Sequence, residues 1–289
     1  MSPGRTLGVS FLPDPRRVNE RTDVVLVIDV LRATSVMATA MAAGAKRIHT
    51  CRGVEQARRS AARSRPPALL CGERGCRPID GFDLGNSPRD YTPDTVGGRE
   101  LILTTTNGTQ AIAAAAPGRR LLAVAFLNAG ATLRSIRDAR ETHIICAGTE
   151  GSITAEDVLL AGMLVERLER QAAAHNVSLR LDGDEAVIAR DQWRWTVAET
   201  LRFSADGDRD SGVMAERPDR LANRLAQTRG GRDLVAAGYH HDLSDCARID
   251  TLSVVVERVA PTTADHDSGA DAPGAIDSEL VTFLPMPHA

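Results

Sequence analysis

A chain of 289 residues, 43% apolar and 25% charged, is long enough for one large domain or two small ones with a sizeable core. Its 35 basic and 38 acidic residues give a formal charge of −3, which offers no footprint for nucleic acid or a membrane surface. Aromatics at 3% leave Ala, Val, Leu and Ile to build the core, and five cysteines with no CxxC spacing argue against a disulfide framework or a zinc ribbon.

The elements alternate along the chain. Residues 23–30 (DVVLVIDV) form a near-continuous apolar run, the mark of a strand buried on both faces. A helix is predicted over 33–43, stopped by Gly44, then a strand over 47–50 and a helix over 54–63. Pro66-Pro67 precede an apolar run at 68–71. Strands follow at 101–104, 121–125 and 143–146, alternating with helices at 110–116, 131–139 and 154–174. This β-then-α order predicts an α/β fold: a three-layer sandwich with a mostly parallel, mixed sheet and helices on both faces. After residue 185 the pattern is mainly helical, at 192–201 and 219–227, before a last strand at 251–259. The domain expectation is an α/β domain over 1–260, with 185–245 a helical insertion or subdomain. Residues 261–289 are expected to be a low-complexity, disordered tail, because Ala, Asp, Gly, Pro, Ser and Thr bury too little surface to offset ordering entropy. The chain has no signal-peptide pattern and no apolar run near the roughly 18 residues of a membrane helix, so a cytoplasmic protein without a membrane or nucleic-acid partner is expected. Oligomeric state is left open, a homo-oligomer being compatible with the sequence.

In parallel sheets ligands bind beyond the carboxyl ends of the strands. Four polar clusters fall there. Asp29, Arg32 and Thr34 follow the first strand; Asp29 could hold a metal or attack phosphorus and Arg32 could bind phosphate, or Asp29 and Thr34 could cap the helix with Arg32 paired to Asp29. Glu73 and Arg74, then Asp83, Asn86 and Ser87, lie among glycines in a segment suited to a hard cation, or to an Ω-loop held by its own turns. Thr105, Thr106, Asn107, Gly108 and Thr109 form a hydroxyl-rich turn entering a helix, either a phosphate cradle or a capped Asn-Gly turn, without a Walker element. Thr154, Glu156 and Asp157 open the long helix as a capping box or as metal-directed carboxylates. Carboxylates, an Arg and amide donors on one rim are the equipment for metal-assisted transfer of phosphate. His240-His241 beside Asp242 and Asp245 could suggest a metal cluster, but adjacent histidines point apart on most backbones.

The blocks DVLRATS, GERGCRPIDGFDLGNSP, TTTNGT and CAGTEGSITAEDVLLAG resemble, in order and spacing, the signatures of the 2-phosphosulfolactate phosphatase family. The likeness runs over about 23–162 and returns at 238–250, GYHHDLSDCARID. Gly75-Cys76, where a more polar pair is expected, and 181–210 depart from the pattern. The resemblance implies hydrolysis of a small anionic substrate, 2-phospho-3-sulfolactate, to 3-sulfolactate and phosphate with Mg²⁺, on the route to coenzyme M. The expected catalytic residues are Asp29, Arg32, Glu73 and Arg74. Arg32, Asn86, Thr105, Thr106, Asn107, Gly108 and Thr109 are expected to hold phosphate; Asp29, Asp83, Glu156 and Asp157 are expected to hold the metal. A phosphatase for another small phospho-acid, a non-catalytic phosphoanion binder and a structural protein are the competing readings.

Overall fold

The computed structural model of the chain describes residues 4–202, 218–259 and 280–286. Its strands are β1 (Arg5–Ser10), β2 (Val24–Ile28), β3 (Arg47–Thr50), β4 (Leu69–Arg74), β5 (Arg77–Pro78), β6 (Glu100–Thr104), β7 (Arg120–Val124), β8 (Glu141–Cys146), β9 (Leu179–Asp182), β10 (Val255–Arg258) and β11 (Val281–Met286). They form one sheet in the order β5-β4-β6-β3-β11-β10-β7-β2-β8-β1-β9. The run β4-β6-β3 is parallel, as is β7-β2-β8-β1-β9. The antiparallel pair β10 and β11 joins them.

The fold is therefore α/β with a mixed, mostly parallel sheet, as the alternation predicts. The apolar run at β2 is explained by its two buried faces. Leu26 and Ile28 join one core with β1, β8, α5 (Ala129–Ser135), α6 (Ala155–Ala174) and α7 (Asp184–Arg202). Val25 and Val27 join a second core built around α1 (Ala33–Ala42) and α4 (Gly108–Ala114). Alternate side chains of one strand feed separate layers, which is why no polar residue interrupts the run.

The strand Val281–Met286 overturns part of the expected tail. It pairs with β3 and β10 in the middle of the sheet, and Phe283 is fully buried. The strand is only six residues, VTFLPM, and the polar stretch before it hid it. The rest of the expected tail, 260–279 and 287–289, lies outside the described residues.

Three successive antiparallel pairings separate β3 from β7, so the two parallel runs point in opposite senses along the sheet. Their strand ends nevertheless meet. Each strand step adds about 20–25° of twist, and both runs contribute to the core around α1: Val25, Val27 and Ala123 from one, Cys71, Leu101 and Leu103 from the other. α4 starts beside Asp29 and Ala33 and leads back toward Val25 at Gly118, which ties the end of β6 to the end of β2. The site rim thus draws on the ends of both runs, not on one shared edge of a parallel sheet. Beyond α7 the chain adds α8 (Pro218–Ala226), α9 (Arg229–Ala236) and α10 (His240–Cys246). No helix among the described residues is long and apolar enough to cross a membrane.

Candidate active site

A cavity of about 360 Å³ opens where the turns after β2, β4, β6 and β8 meet α9. Asp29, Arg32, Glu73, Asn86, Thr106 and Asn107 all line it, drawn from three of the four predicted clusters.

Asp29 sits at the tip of β2, 8% exposed. Its Oδ1 accepts from the Ala33 amide at 3.2 Å, as a helix-capping carboxylate does. Its Oδ2 faces Gly108: a Cβ there would lie 2.7 Å from that oxygen and 2.7 Å from Ala33 Cβ. Only glycine lets the helix α4 approach so closely. Burial pushes the Asp29 carboxyl up to about 7, with the Glu73 and Glu156 carboxylates adding to the rise and Arg32 opposing it.

Arg32 does not pair with Asp29. Its Nη1 donates to Asp242 Oδ2 at 2.7 Å, its Nη2 donates to the Cys76 carbonyl at 3.0 Å, and its guanidinium lies 4.4 Å from the Tyr239 ring centre. Ser87 Oγ donates to the other Asp242 oxygen at 2.7 Å. The side chains Arg32 and Asp242 are 2% and 1% exposed, a fully buried ion pair.

Glu73 closes β4. Its two oxygens accept from the Thr106 and Cys76 amides, both at 2.9 Å. Gly75 and Cys76, both at positive φ (58° and 64°), make the two-residue turn between β4 and β5, the geometry of a type I′ hairpin. The departure from the family pattern at Gly75-Cys76 is therefore a tight turn that fixes Glu73.

The predicted residues divide. Arg74 does not line the cavity; its guanidinium is taken up by the carbonyls of Glu73, Arg52 and Thr104 and by the Thr104 hydroxyl. Asp83 is exposed and accepts from the Leu70 amide at 2.8 Å, away from the other carboxylates. The Thr109 hydroxyl donates to the Thr105 carbonyl at 2.8 Å, a helix back-bond. Asp157 works as a clamp behind the site: Oδ1 accepts from Val30 at 2.9 Å, and Oδ2 accepts from Gly148 at 3.0 Å and from the Thr154 hydroxyl at 3.2 Å. Asn107 Oδ1 accepts from the Glu150 amide at 3.0 Å. Glu156 is 2% exposed behind the cavity wall, pressed against Gly230, with burial raising its carboxyl. His240 and His241 stack on each other at 3.8 Å, and Asp242 and Asp245 serve Arg32 and Arg89, so these four do not form a metal site.

Sequence reasoning named Asp242 only beside the histidine pair and not as the partner of Arg32, and it did not single out Tyr239, Arg77, Glu150 or Asp233. Asp242 and Tyr239 lie in the GYHHDLSDCARID block that resembles the family, the one signal available. Asp233, on α9, carried none.

The donor chemistry suits a hard divalent cation. Asn86 Oδ1 and Glu156 Oε2 are buried without hydrogen-bond partners, and so are the Thr105 and Thr106 hydroxyls. Among the described residues, no three His, Cys, Asp or Glu side chains stand ready to encircle an ion. That pattern fits an ion held by one or two carboxylates with substrate oxygens and water completing its shell.

Residues 11–260 match the 2-phosphosulpholactate phosphatase family. A protein of Pseudothermotoga lettingae, named a probable 2-phosphosulfolactate phosphatase, is 35% identical over 250 residues, spanning 86% of this chain and 94% of that one. Another of that name, from Synechococcus sp. (strain JA-3-3Ab), is 33% identical over 243 residues, 82% and 88% of the two chains. A third, from Caldanaerobacter subterraneus subsp. tengcongensis, is 44% identical over 147 residues, 50% and 61% of the two chains. Sequence motifs, fold and these relatives agree: the chain belongs to the 2-phosphosulpholactate phosphatase family.

Proposed function

We propose that this protein is an Mg²⁺-dependent phosphoric monoester hydrolase that converts 2-phosphosulfolactate to sulfolactate and phosphate. The supporting observation is the convergence of Asp29, Arg32, Glu73 and the orphaned Thr106 hydroxyl on one cavity. The substrate follows from the names of the relatives.

The cavity's charge supports the metal. Asp29, Glu73, Glu150 and Asp233 line it against Arg32 and Arg77. An acidic wall repels a polyanionic substrate unless a cation reverses the balance. Asp29 and Glu73, with Asn86 Oδ1, are the side chains that would hold Mg²⁺. When bound, the ion supplies positive charge to the phosphate oxygens and lowers the barrier to attack at phosphorus.

The chain's own residues do the rest. Arg32 is fixed by Asp242, Cys76 and Tyr239, so it meets phosphate oxygens without reorganising. The Thr106 hydroxyl donates to the same group. Asp29 Oδ2, the oxygen not held by Ala33, faces the 105–108 turn and is the one that works on the reacting centre. It acts either on the attacking water or as the nucleophile itself. Acid quenching during turnover of ³²P-labelled substrate separates these: radioactivity trapped on Asp29 means an aspartyl-phosphate, and none means direct water attack, since oxygen from water reaches the phosphate by either route.

The test of the function is phosphate release from a panel of 2-phospho-acids. Release from 2-phosphosulfolactate that EDTA abolishes and Mg²⁺ restores is the expected result. Release only from a different phospho-acid, or release indifferent to EDTA, would refute the reading.

A further inference from the structure

The cavity holds two guanidinium groups in different states. Arg32 is buried and committed to Asp242, Cys76 and Tyr239. Arg77 is exposed on β5, lines the same cavity, and its guanidinium makes no hydrogen bond or ion pair among the described residues. The other arginine near this opening, Arg229, is taken by the Thr149 carbonyl and by Glu150 Oε2 at 2.7 Å. Arg77 is also held close to the chemistry: it pairs across the hairpin with Arg74, and Glu73 is the next residue along β4. The two-residue turn at Gly75-Cys76 sets that distance with no slack.

The proposed substrate, on which this step rests, carries two anionic groups beyond its phosphate, a carboxylate and a sulfonate. The phosphate goes to Arg32, Thr106 and the ion. The remaining walls include Asp233, which repels anions. A sulfonate is a hydrogen-bond acceptor only, always ionised, and presents oxygens that a guanidinium fork can span. We infer that Arg77 is a specificity-determining residue: its guanidinium binds the sulfonate of the substrate and thereby separates sulfonated from unsulfonated 2-phospho-acids. Wild-type enzyme gains from this contact only on substrates that bear the second strong-acid group.

The experiment measures kcat/KM with Mg²⁺ on 2-phospho-3-sulfolactate and on 2-phospholactate for wild type, Arg77→Ala and Arg77→Lys, and the binding of 3-sulfolactate by calorimetry. Arg77→Ala is expected to lower kcat/KM on the sulfonated substrate by roughly 10- to 100-fold more than on 2-phospholactate, the worth of one charge-assisted contact. 3-Sulfolactate binding should weaken in step, and Arg77→Lys should recover part of both, because the charge stays and the fork is lost. Equal losses on the two substrates, or no loss, overturn the assignment. Wild-type enzyme that turns over both substrates equally well also overturns the assignment, whereas turnover of 2-phospholactate alone overturns the substrate reading itself, an outcome visible before any variant is made. Because Arg77 is exposed and unpaired, its removal leaves the fold intact, and a melting curve checks that.

Discussion

Arg32 Nη1 and Asp242 Oδ2 meet at 2.7 Å across 210 residues of sequence, both almost wholly buried. The pair ties the helix-rich segment after α7 to the tip of β2, so that segment takes part in building the site. Removing one partner of a buried pair leaves the other's charge unsolvated. Asp242→Ala should therefore cost about 3 kcal/mol of stability and raise KM through a loosened Arg32. Urea unfolding and steady-state kinetics read both; unchanged stability would show that the pair contributes nothing.

Asp157 and Asp29 are buried carboxylates with opposite expected effects. Asp157→Ala leaves the Val30 and Gly148 amides without their acceptor. Stability should fall by about 2 kcal/mol, the cost of burying Asp157's own charge having offset part of its contribution. Asp29 is disfavoured as a charge by burial and by Glu73 and Glu156. Asp29→Asn should raise the melting temperature of the metal-free protein at neutral pH, a site residue held at a cost to stability. Differential scanning calorimetry in EDTA gives both signs, and a fall for Asp29→Asn would contradict the crowding of carboxylates.

Gly108→Ala places a Cβ 2.7 Å from Asp29 Oδ2. Either α4 or Asp29 must shift. The expected result is a loss of stability of about 1–3 kcal/mol and a drop in kcat, measured by thermal unfolding and phosphate release. A fully active Gly108→Ala would mean that the closeness of α4 to Asp29 is not needed.

His143 sets a pH dependence remote from the site. Its Nε2 bonds Ser10 Oγ at 2.8 Å, and burial lowers its value from 6.5 to about 4, with Arg17 lowering it further and Asp182, Glu185 and Asp14 opposing. The folded state holds the ring neutral. The stability this gives is present above pH 6.5 and is lost as the pH falls toward 4. Denaturant unfolding of wild type and His143→Gln should show a gap at pH 7.5 that narrows by about 2 kcal/mol at pH 5. A constant gap would place the ring in contact with water.

The sequence made the parallel strands and their polar tips legible because both depend on local pattern. The run around β2 shows its double burial directly, and Asp29, Glu73 and the 105–108 turn stand where such strands end. Long-range pairing left no such mark. β11 reads as six residues after a polar stretch, and its place in the middle of the sheet comes only from its partners β3 and β10. Arg74 and Asp83 looked like site residues because charge beside glycine is ambiguous. Whether such a side chain faces a cavity or the backbone depends on the turn that carries it, here the type I′ turn at Gly75-Cys76. The role of Asp242 was hidden for the opposite reason: it stands beside two histidines on its own helix, and its pairing with Arg32 across 210 residues leaves no local mark.

The most direct test is Asp29→Asn assayed for phosphate release from 2-phosphosulfolactate with Mg²⁺, beside a calorimetric melting curve of the same sample. The expected result is a rate at least about a thousandfold below wild type with a cooperative transition at or above the wild-type temperature. A variant that folds and keeps its rate within about threefold of wild type would contradict the placement of the chemistry at Asp29.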